Sequence, residues 1–507
     1  MTRRYLTTAI DFPNAAPHLG HAYEKVLADC IVRWFRLQGD TVRFHIGTDE
    51  NGIKIQQTAK AAGITPRELI DRNAPLFQNL FRKLHISHDY FIRTADPVSH
   101  WPTVTALWKK LKEAGALEKR KYTGLYCNGC ERFVTEKDLL DGKCPEHNEI
   151  PEEVTEENWF YLLQKRENDL KKLLDPKKGT YRIVPSFRGN ETRSFLEQGL
   201  EDVSFSRSKQ TLTWGVPVPD DSEQVMYVWC DNLTSYISSL GLLTEHAMPE
   251  WWDDAEVTHI IGKDIARFHA LNWPAMLLDA GVRAPDRLLV HGFITHEGRK
   301  MSKTLGNVVD PHDIISRYGV DAFRFFFIHE IPMGNDGDFS WKRFHEIYDS
   351  KLRNQVGNLL NRVLTLLQKD GGTLAVPSKD ILRLQVEWNT YARAMEVFEL
   401  SGAIGVASAL AARGDKFIDE KKPWQRDAKD RRETLSTLAE LLRHISLLLL
   451  PFIPETAQKM SMQLGVPYAG KVLEKNFVIT ESLKKWGGVS EWKSIGTPAI
   501  LFPPIEP

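Results

Sequence analysis

The chain has 507 residues, of which 42% are hydrophobic and 26% are charged, a composition typical of globular proteins. This length exceeds what one compact core accommodates, so we expect roughly three or four structural units. Lysine and arginine number 66 against 67 for aspartate and glutamate, which excludes a generally basic chain, so any polyanion site must be a local patch.

Nothing in the sequence predicts a membrane segment. The apolar run ISLLLLPFIP is too short to span a bilayer and ends in proline. The first residues lead directly into a strand-like segment and lack the apolar stretch and cleavage site of a secretory signal. We therefore expect a cytoplasmic protein with no membrane partner.

The first residues predict a β-loop-α-β unit. Residues 5–10 form a short β-rich run, and residues 18–37 show the helical spacing of apolar positions until Gly39. Residues 42, 44 and 46 are apolar and alternate with polar residues, as in a strand. This order is typical of a parallel, doubly wound sheet, so the predicted fold class is α/β.

The alternation of strands and helices is then interrupted. Residues 116–225 are rich in turns and hold three of the five cysteines, so we interpret them as an insertion between two sheet-forming halves, 1–115 and 226–325. Residues 326–350 are assigned to a linker region. Residues 351–507 are predicted to form an all-α bundle, since an apolar stripe at helical spacing begins them. The stripe consists of Leu352, Val356, Leu359, Leu360, Val363 and Leu367.

His18, Gly20 and His21 stand at the predicted start of the first helix, directly after the first strand. Unpaired N–H groups and the helix dipole attract an anion there, Gly20 allows close approach, and two imidazoles add donors. The same residues are compatible with a plain helix cap, half of a metal site or an acid/base pair. From these residues alone the alternatives stay open.

A second motif, GRKMSKTLGN at residues 298–307, follows the predicted strand LLVHGFI. Its Lys300 and Lys303 lie in a glycine-flanked loop, and such a cationic loop can fold over a polyphosphate. Taken alone, two lysines in a loop are more often simply solvated. The Walker pattern GxxxxGK[ST] does not occur.

Together, HxGH after the first strand and KMSK[ST] after a late strand resemble the class I aminoacyl-tRNA synthetases, with Thr304 where serine is commoner. The resemblance implies a Rossmann-like catalytic domain that joins an amino acid to ATP, releases pyrophosphate and passes the acyl group to a tRNA 3′ end. Because the amino-acid carboxylate is the nucleophile, the protein needs no base, and donors assisted by Mg²⁺ stabilise the phosphate charge. The residues that the resemblance assigns to ATP and catalysis are His18, Gly20, His21, Lys300 and Lys303.

Further segments resemble the methionyl-tRNA synthetases over nearly the whole chain, among them AIDFPNAAPHLGHAYE, GTDENG, YVWCDNLTSY and HIIGKDIARFHALNWPAML. The resemblance implies L-methionine as substrate, with Asp49 holding its ammonium group and with Arg207 and Asp264 around the active site. Phe12 stands where the family commonly has tyrosine, and Asn232 stands where it commonly has alanine. The implied methionine pocket consists of Ile10, Phe12, Asp49, Trp229, Asn232, Leu233, Tyr236, Ile265 and His269.

The chemistry of this pocket suits methionine. Aromatic and aliphatic walls fit a flexible, polarizable thioether, and a tyrosine hydroxyl can donate weakly to sulfur. Without the resemblance, plain core packing would be the favoured interpretation of Trp229 and Tyr236.

The insertion contains CNGC and CPEH, which together give the spacing C-x₂-C-x₁₃-C-x₂-H. This spacing is strong evidence for tetrahedral zinc, and four protein ligands make the site structural; free thiols are the alternative. The resemblance places this knuckle in the family's connective domain. Cys30 and Cys230 stand among apolar neighbours and are predicted to be buried fillers. The candidate zinc ligands are Cys127, Cys130, Cys144 and His147.

Asn358 and Arg362 lie four residues apart and share a helix face away from the apolar stripe. Trp424 follows a proline in a locally basic stretch. An aromatic ring for stacking and polar groups for base edges suit a single-stranded RNA loop. The resemblance implies that these three residues read the CAU anticodon of tRNA(Met), elongator and initiator alike, whereas without it a solvated polar face is favoured.

Two rival functions fit the sequence less well. The isoleucine, valine and leucine synthetases carry a larger editing insertion, and the cysteine enzyme holds zinc in its amino-acid pocket rather than in the insertion. A relic that only binds tRNA is disfavoured by the intact histidine and lysine motifs. The sequence therefore predicts activation of L-methionine with ATP and its transfer to tRNA(Met), by a monomer because no further C-terminal domain fits behind the bundle.

Overall fold

The computed structural model describes residues 1–127, 132–145, 148–301, 307–375, 377, 380 and 383–506, with the backbone alone for residues 132, 133, 137 and 300. In chain order the strands are β1 Arg3–Thr8, β2 Thr41–Thr48, β3 Tyr90–Arg93, β4 Leu117–Cys127, β5 Arg132–Val134, β6 Glu152–Tyr161, β7 Arg182–Val184, β8 Val203–Ser204, β9 Ser206–Ser208, β10 Gln224–Met226, β11 Glu256–Gly262, β12 Arg287–His291, β13 Ile294–His296, β14 Arg299–Lys300 and β15 Gly337–Phe339. The helices are α1 Leu19–Leu37, α2 Ile53–Ala61, α3 Pro66–Lys83, α4 Trp101–Glu113, α5 Glu167–Leu173, α6 Ser186–Glu197, α7 Val228–Ser238, α8 Trp273–Asp279, α9 Pro311–Tyr318, α10 Val320–Glu330, α11 Trp341–Ile347, α12 Asn358–Lys369, α13 Leu384–Glu396, α14 Leu400–Lys421, α15 Ala428–Leu449, α16 Pro454–Leu464 and α17 Glu481–Lys484.

The central sheet of the described chain is parallel and has the strand order β3-β2-β1-β11-β12-β7. The predicted parallel α/β core is therefore confirmed. The middle strand β1 pairs with β2 on one side and with β11 on the other, so successive connections leave it in opposite directions. Such a reversal opens a crevice at the carboxyl ends of the strands, where ligands of open α/β sheets bind.

Helix α1 connects the middle strand to β2 and is buried along nearly its whole length. His18 caps its N-terminus in extended backbone, and Gly39 ends the following turn with a φ of 88°. Because the sheet covers one side of α1 and the helical region covers the other, its apolar positions extend around most of the helix. This packing fixes the N-terminus of α1 at the crevice.

The predicted insertion contributes strands to three sheets, one of which is the two-stranded pair of β9 and β10. Strands β4, β5, β6 and β8 form an antiparallel sheet of their own. Strand β7 instead pairs in parallel with β12 and forms one edge of the central sheet. Part of the interval 116–225 thus belongs structurally to the central sheet.

The C-terminal part is helical, as predicted, and the six residues of the apolar stripe are at most 1% exposed. One hydrophobic cluster continues from α1 through α10 into α12, α14 and α15, so the helical region packs directly on the sheet domain. Residues 326–350 include the end of α10, strand β15 and helix α11, and β15 pairs with β13. Cys30 and Cys230 are buried fillers of the core, as predicted.

No helix in the described part of the chain combines the length and apolar character that a membrane crossing requires.

Candidate functional site

A cleft of about 1770 Å³ opens at the carboxyl ends of β1, β2, β11 and β12. Residues from far-apart segments of the chain meet in its walls, and Leu233 is placed in the hydrophobic core beside them, 1% exposed. The predicted site residues that line the cleft are Ile10, Phe12, His18, Gly20, His21, Asp49, Arg207, Trp229, Asn232, Tyr236, Asp264, Ile265 and His269.

His18 and His21 cap helix α1 reciprocally. The backbone N–H of Gly20 donates to His18 Nδ1 at 3.1 Å, and the backbone N–H of His18 donates to His21 Nδ1 at 3.2 Å. A ring nitrogen that accepts a hydrogen bond carries no proton, so each neutral ring has its proton on Nε2. Both rings that line the cleft therefore offer one Nε2–H donor.

The two imidazoles stack with 3.8 Å between ring centroids. Desolvation by the surrounding protein, together with His18 and Lys25, holds the pKa of His21 well below its usual value of 6.5. His21 is consequently neutral near pH 7 and presents a dipole of fixed orientation. This arrangement favours the anion-binding cap over a metal pair or an acid/base pair.

Of the lysine motif at residues 298–307, the structure describes only residues 298–301 and 307. Strand β14 pairs with β13 and places the backbone of Lys300, while Lys303 and Thr304 lie outside the described residues. Met301 and Val308, on either side of that segment, line the same cleft as the histidines. His296 Nδ1 donates to the carbonyl of Asn307 at 2.8 Å and so ties the end of the segment to β13.

Aromatic rings form one wall of the cleft. Trp229 lies on Phe268 with 3.9 Å between ring centroids and 4° between planes. Arg207, 2% exposed, donates to the carbonyl of Ser206 at 2.7 Å and lies 4.4 Å from the ring centre of Tyr227. These contacts keep a flat, apolar surface beside a buried cation.

A hydrogen-bond chain fixes the inner end of this wall. His269 Nδ1 donates to the carbonyl of Ile265 at 3.0 Å, so His269 Nε2 is the acceptor of the Tyr236 hydroxyl at 2.7 Å. Burial lowers the pKa of His269 to about 4, which keeps the ring neutral. The Tyr236 hydroxyl proton therefore points to His269, and the weak donation to sulfur expected from the sequence is not made by that proton in this arrangement.

Asp49 and Asn232 meet although 183 residues separate them in the chain. Asn232 Nδ2 donates to Asp49 Oδ2 at 3.0 Å, and both residues are more than nine-tenths buried. The backbone N–H of Asp49 donates to the carbonyl of Asp11 at 2.8 Å, which anchors β2 to the segment after β1. The carboxylate is thus held at the edge of the aromatic wall.

A buried charge cluster that includes cleft-lining residues was not predicted. Lys25, fully buried, contacts Asp11 at 2.9 Å and Glu24 at 2.7 Å, and Glu24 in turn contacts His291 at 3.0 Å. Burial raises the pKa of Asp11 to about 7 against the opposing effect of Lys25. The signal available in the sequence was the charged pair Glu24–Lys25 between the apolar residues Ala22, Tyr23 and Val26 of a predicted helix.

The zinc candidates are placed only in part. Cys127 and Cys144 are 1% and 3% exposed and share one small buried cluster, whereas Cys130 and His147 lie outside the described residues. The N–H of Asn148 donates to the carbonyl of Cys144 at 2.7 Å. Among the described residues no group of three or more metal-ligating side chains occurs.

The anticodon candidates lie on the helical region. Asn358 is exposed at the start of α12, and Trp424, just after α14, is 47% exposed. Arg362, one turn after Asn358, contacts Asp419 of α14 at 2.7 Å. This contact connects the α12 candidates to the segment that leads to Trp424.

The family model for class I tRNA synthetases (M) matches residues 4–150 and 147–364 of this chain. The chain belongs to the class I (M) tRNA synthetase family. Curated relatives of this synthetase include a methionine–tRNA ligase of Caldanaerobacter subterraneus, 40% identical over 99% of this chain and 79% of its own length. One from Nostoc is 38% identical over 99% of this chain and 97% of its own length.

Solved structures agree with the fold of this class I (M) synthetase. Mycobacterium tuberculosis methionyl-tRNA synthetase in complex with methionyl-adenylate aligns with a TM-score of 0.88 and 33% identity, over 99% of this chain and 100% of that one. Its apo form aligns with a TM-score of 0.82 and 31% identity, over 100% and 99%. The family predicted from the sequence motifs is confirmed.

Proposed function

We propose that this class I (M) synthetase is a methionine–tRNA ligase, which activates L-methionine with ATP and transfers it to tRNA(Met). The observation that carries the proposal is one cleft that combines two histidine donors, a buried carboxylate and an aromatic wall. The Met-tRNA synthetase structure that aligns with this chain over its full length was solved with methionyl-adenylate. Donors for phosphates and an apolar pocket are what the formation of that adenylate requires.

In the activation step a carboxylate oxygen of methionine bonds to the α-phosphorus of ATP, the bond to the bridging oxygen breaks, and pyrophosphate leaves. Negative charge grows on the phosphate oxygens, so preorganised donors accelerate this step. The Nε2–H groups of His18 and His21 and the N-terminus of α1, where Gly20 leaves room, supply such donors. Lys300 and Lys303 are proposed to add positive charge at the phosphates, and Mg²⁺ enters with ATP as part of the substrate.

The methionine side chain is proposed to lie against Trp229 and Tyr236. Because the polar atoms of Tyr236 and His269 bond to each other, they leave an apolar surface that suits a thioether. A polar amino acid of similar length would lose its hydration there without replacement. Asp49 is proposed to bind the substrate ammonium group at the edge of this surface, with Arg207 and Asp264 around the site.

The test is ATP–pyrophosphate exchange with each of the twenty amino acids. Exchange with methionine alone supports the proposal. Exchange driven by isoleucine, valine, leucine or cysteine would assign the chain to another class I enzyme, and tRNA binding without any exchange would identify a non-catalytic relative.

A structural zinc ion is proposed for Cys127, Cys130, Cys144 and His147. The two described thiols fit this group because they are buried together, and thiolate and imidazole are the ligands that zinc prefers. Zinc held by these residues would supply a structural cross-link between the end of β4 and Cys144. Metal analysis of the purified chain should find about one zinc per chain, and Cys144→Ser should lose it, whereas Cys230→Ser should retain it. A metal-free wild-type chain would contradict the site.

Asn358, Arg362 and Trp424 are proposed to contact the anticodon of tRNA(Met). Trp424 offers an exposed ring for stacking on an unpaired base, and the Arg362 side chain is partly exposed while it contacts Asp419. We also propose that the chain acts as a monomer, which light scattering at enzymatic concentrations tests directly.

A further inference from the structure

Asn232 stands inside the cleft with one half of its amide engaged. Its side chain is 7% exposed, and Nδ2 donates to Asp49 Oδ2 at 3.0 Å. Since a carboxylate oxygen only accepts hydrogen bonds, the amide nitrogen must face Asp49. Its oxygen, Oδ1, consequently faces away from the carboxylate.

Oδ1 of Asn232 is buried and has no hydrogen-bond partner among the residues that the structure describes. Buried polar atoms in native proteins are nearly always paired, and an unpaired carbonyl oxygen destabilises the site that holds it. The residue lines the cleft beside Trp229 and one helical turn before Tyr236. An acceptor in this position is suited to a donor that arrives with the ligand.

The chemistry of methionine identifies that donor. Its thioether and carboxylate only accept hydrogen bonds, and its ammonium group carries all three of its N–H donors. The proposed function already directs this ammonium group to Asp49, the carboxylate next to Asn232. The ammonium is therefore the one group of methionine that can satisfy Oδ1.

We propose that Asn232 Oδ1 is a second acceptor for the substrate ammonium group, beside the Asp49 carboxylate. The amide then has two roles: its nitrogen orients Asp49, and its oxygen binds the substrate directly. Alanine, common at this position in the family, can do neither. This inference rests on the proposed function and makes Asn232 a specificity-determining residue for the α-amino group.

The experiment compares three ligands that share the methionine side chain. L-Methionine has both the ammonium and the carboxylate, L-methioninol keeps the ammonium but lacks the carboxylate, and 4-(methylthio)butanoate keeps the carboxylate but lacks the ammonium. In ATP–pyrophosphate exchange, Asn232→Ala should raise the KM for L-methionine and the inhibition constant of L-methioninol about tenfold. Inhibition by 4-(methylthio)butanoate should stay within about twofold of wild type, since that ligand has no donor for Oδ1.

Two further variants distinguish the loss of the Oδ1 acceptor from a change in side-chain packing. Asn232→Leu keeps the size of the side chain without an acceptor and should reproduce the selective loss. Ser235→Ala removes a buried hydroxyl from the same helix, outside the cleft lining, and should leave all three ligands unchanged. The thermal unfolding midpoint reports whether each variant is folded.

If Asn232→Ala weakens the binding of all three ligands equally and the enzyme stays active, this inference is overturned but the proposed function is not. Such a result would indicate that Asn232 only packs in the cleft. An altered KM for ATP with unchanged methionine binding would also overturn it, because Oδ1 would then serve a donor of ATP. Absence of methionine-dependent exchange in the unmodified chain would overturn both the proposed function and this inference.

Discussion

At the scale of single residues, the geometry of His18 and His21 is compatible with two roles at once, a helix cap and a hydrogen-bond donor to an anion. Each Nδ1 accepts a backbone hydrogen bond and caps the helix, and this same bond places the proton on Nε2. The capping hydrogen bond at Nδ1 therefore leaves the Nε2–H group as a donor, so one ring can serve both roles. The tautomer is fixed before any ligand arrives, which is the condition for preorganised stabilisation of charge.

Two variants of His21 distinguish its capping role, which affects stability, from its proposed donor role, which affects the exchange rate. His21→Asn keeps an acceptor near the position of Nδ1 but lacks the distal donor, so we expect a near-normal unfolding midpoint and a roughly 10²- to 10³-fold lower exchange rate. His21→Gln restores an amide N–H near the position of Nε2 and should recover part of the rate. Equal rates in both variants would contradict the donor role.

The burial of His45 on β2 leads us to expect that the free energy of unfolding depends on pH. It is fully buried, and burial together with nearby cations lowers its pKa to about 3, below the 6.5 of the unfolded chain. Below pH 6.5 the unfolded state binds the proton first, so this histidine destabilises the fold by about 1.4 kcal/mol per pH unit as the pH falls towards 3. His45→Phe should therefore lose less thermal stability than wild type between pH 7 and pH 5; an identical loss would show that His45 does not titrate this way.

At the scale of elements, Arg324 of α10 connects the sheet domain to the helical region. It is fully buried, and it contacts Asp29 of α1 at 2.7 Å. It also donates to the carbonyls of Leu84, at 3.0 Å, and Phe452, at 2.6 Å. Arg33 and Arg324 hold the pKa of Asp29 below its usual value although burial raises it. One guanidinium thus satisfies groups from both regions.

Arg324→Met should destabilise the protein by about 3–5 kcal/mol in urea unfolding, because Asp29 would remain buried without this partner. Arg343→Met is the matched control, since Arg343 is half-exposed and its contact with Glu330 at 2.6 Å should contribute about 1 kcal/mol or less. Addition of Asp29→Asn to Arg324→Met should recover part of the loss. If no stability is recovered, the lost hydrogen bonds to the backbone carbonyls, and not the buried charge of Asp29, account for the destabilisation.

At the scale of the whole molecule, the cleft and the proposed anticodon residues belong to different regions that share one hydrophobic core. Helix α1 has its N-terminus at the cleft and packs in the same cluster as α12 and α14. The two proposed sites are therefore positioned by continuous packing rather than by a flexible tether. Their contributions to catalysis should be separable because the two sites are proposed to contact different substrates.

Trp424→Ala should reduce kcat/KM for tRNA charging about 10- to 100-fold, the loss of one base–aromatic stack, and leave ATP–pyrophosphate exchange unchanged. Met462→Ala, which truncates another exposed apolar side chain of the helical region, is the control and should change neither reaction. Equal losses in exchange and charging by the Trp424 variant would indicate misfolding instead of a tRNA contact.

Local patterns were enough to predict the elements that carry the motifs. Alternation and helical spacing predicted β2, α1 and the buried stripe of α12, because burial on one side leaves a regular trace in the sequence. The three-residue strand β7 left no such trace, and its place in the central sheet follows from its pairing with β12. Buried charges such as Lys25 were missed because their burial, and contacts such as the one with Asp11, arise only after folding.

The sequence by itself determined the family and the types of chemical group at the site, since motif residues and their order are local properties. Tertiary structure decided which atoms of those groups are available. Contacts between distant segments commit the Tyr236 hydroxyl to His269, turn the Asn232 amide towards Asp49 and leave Oδ1 without a described partner. Hydrogen bonds are directional and buried donors must be paired, so the free face of each side chain is set by neighbours that the linear sequence does not specify.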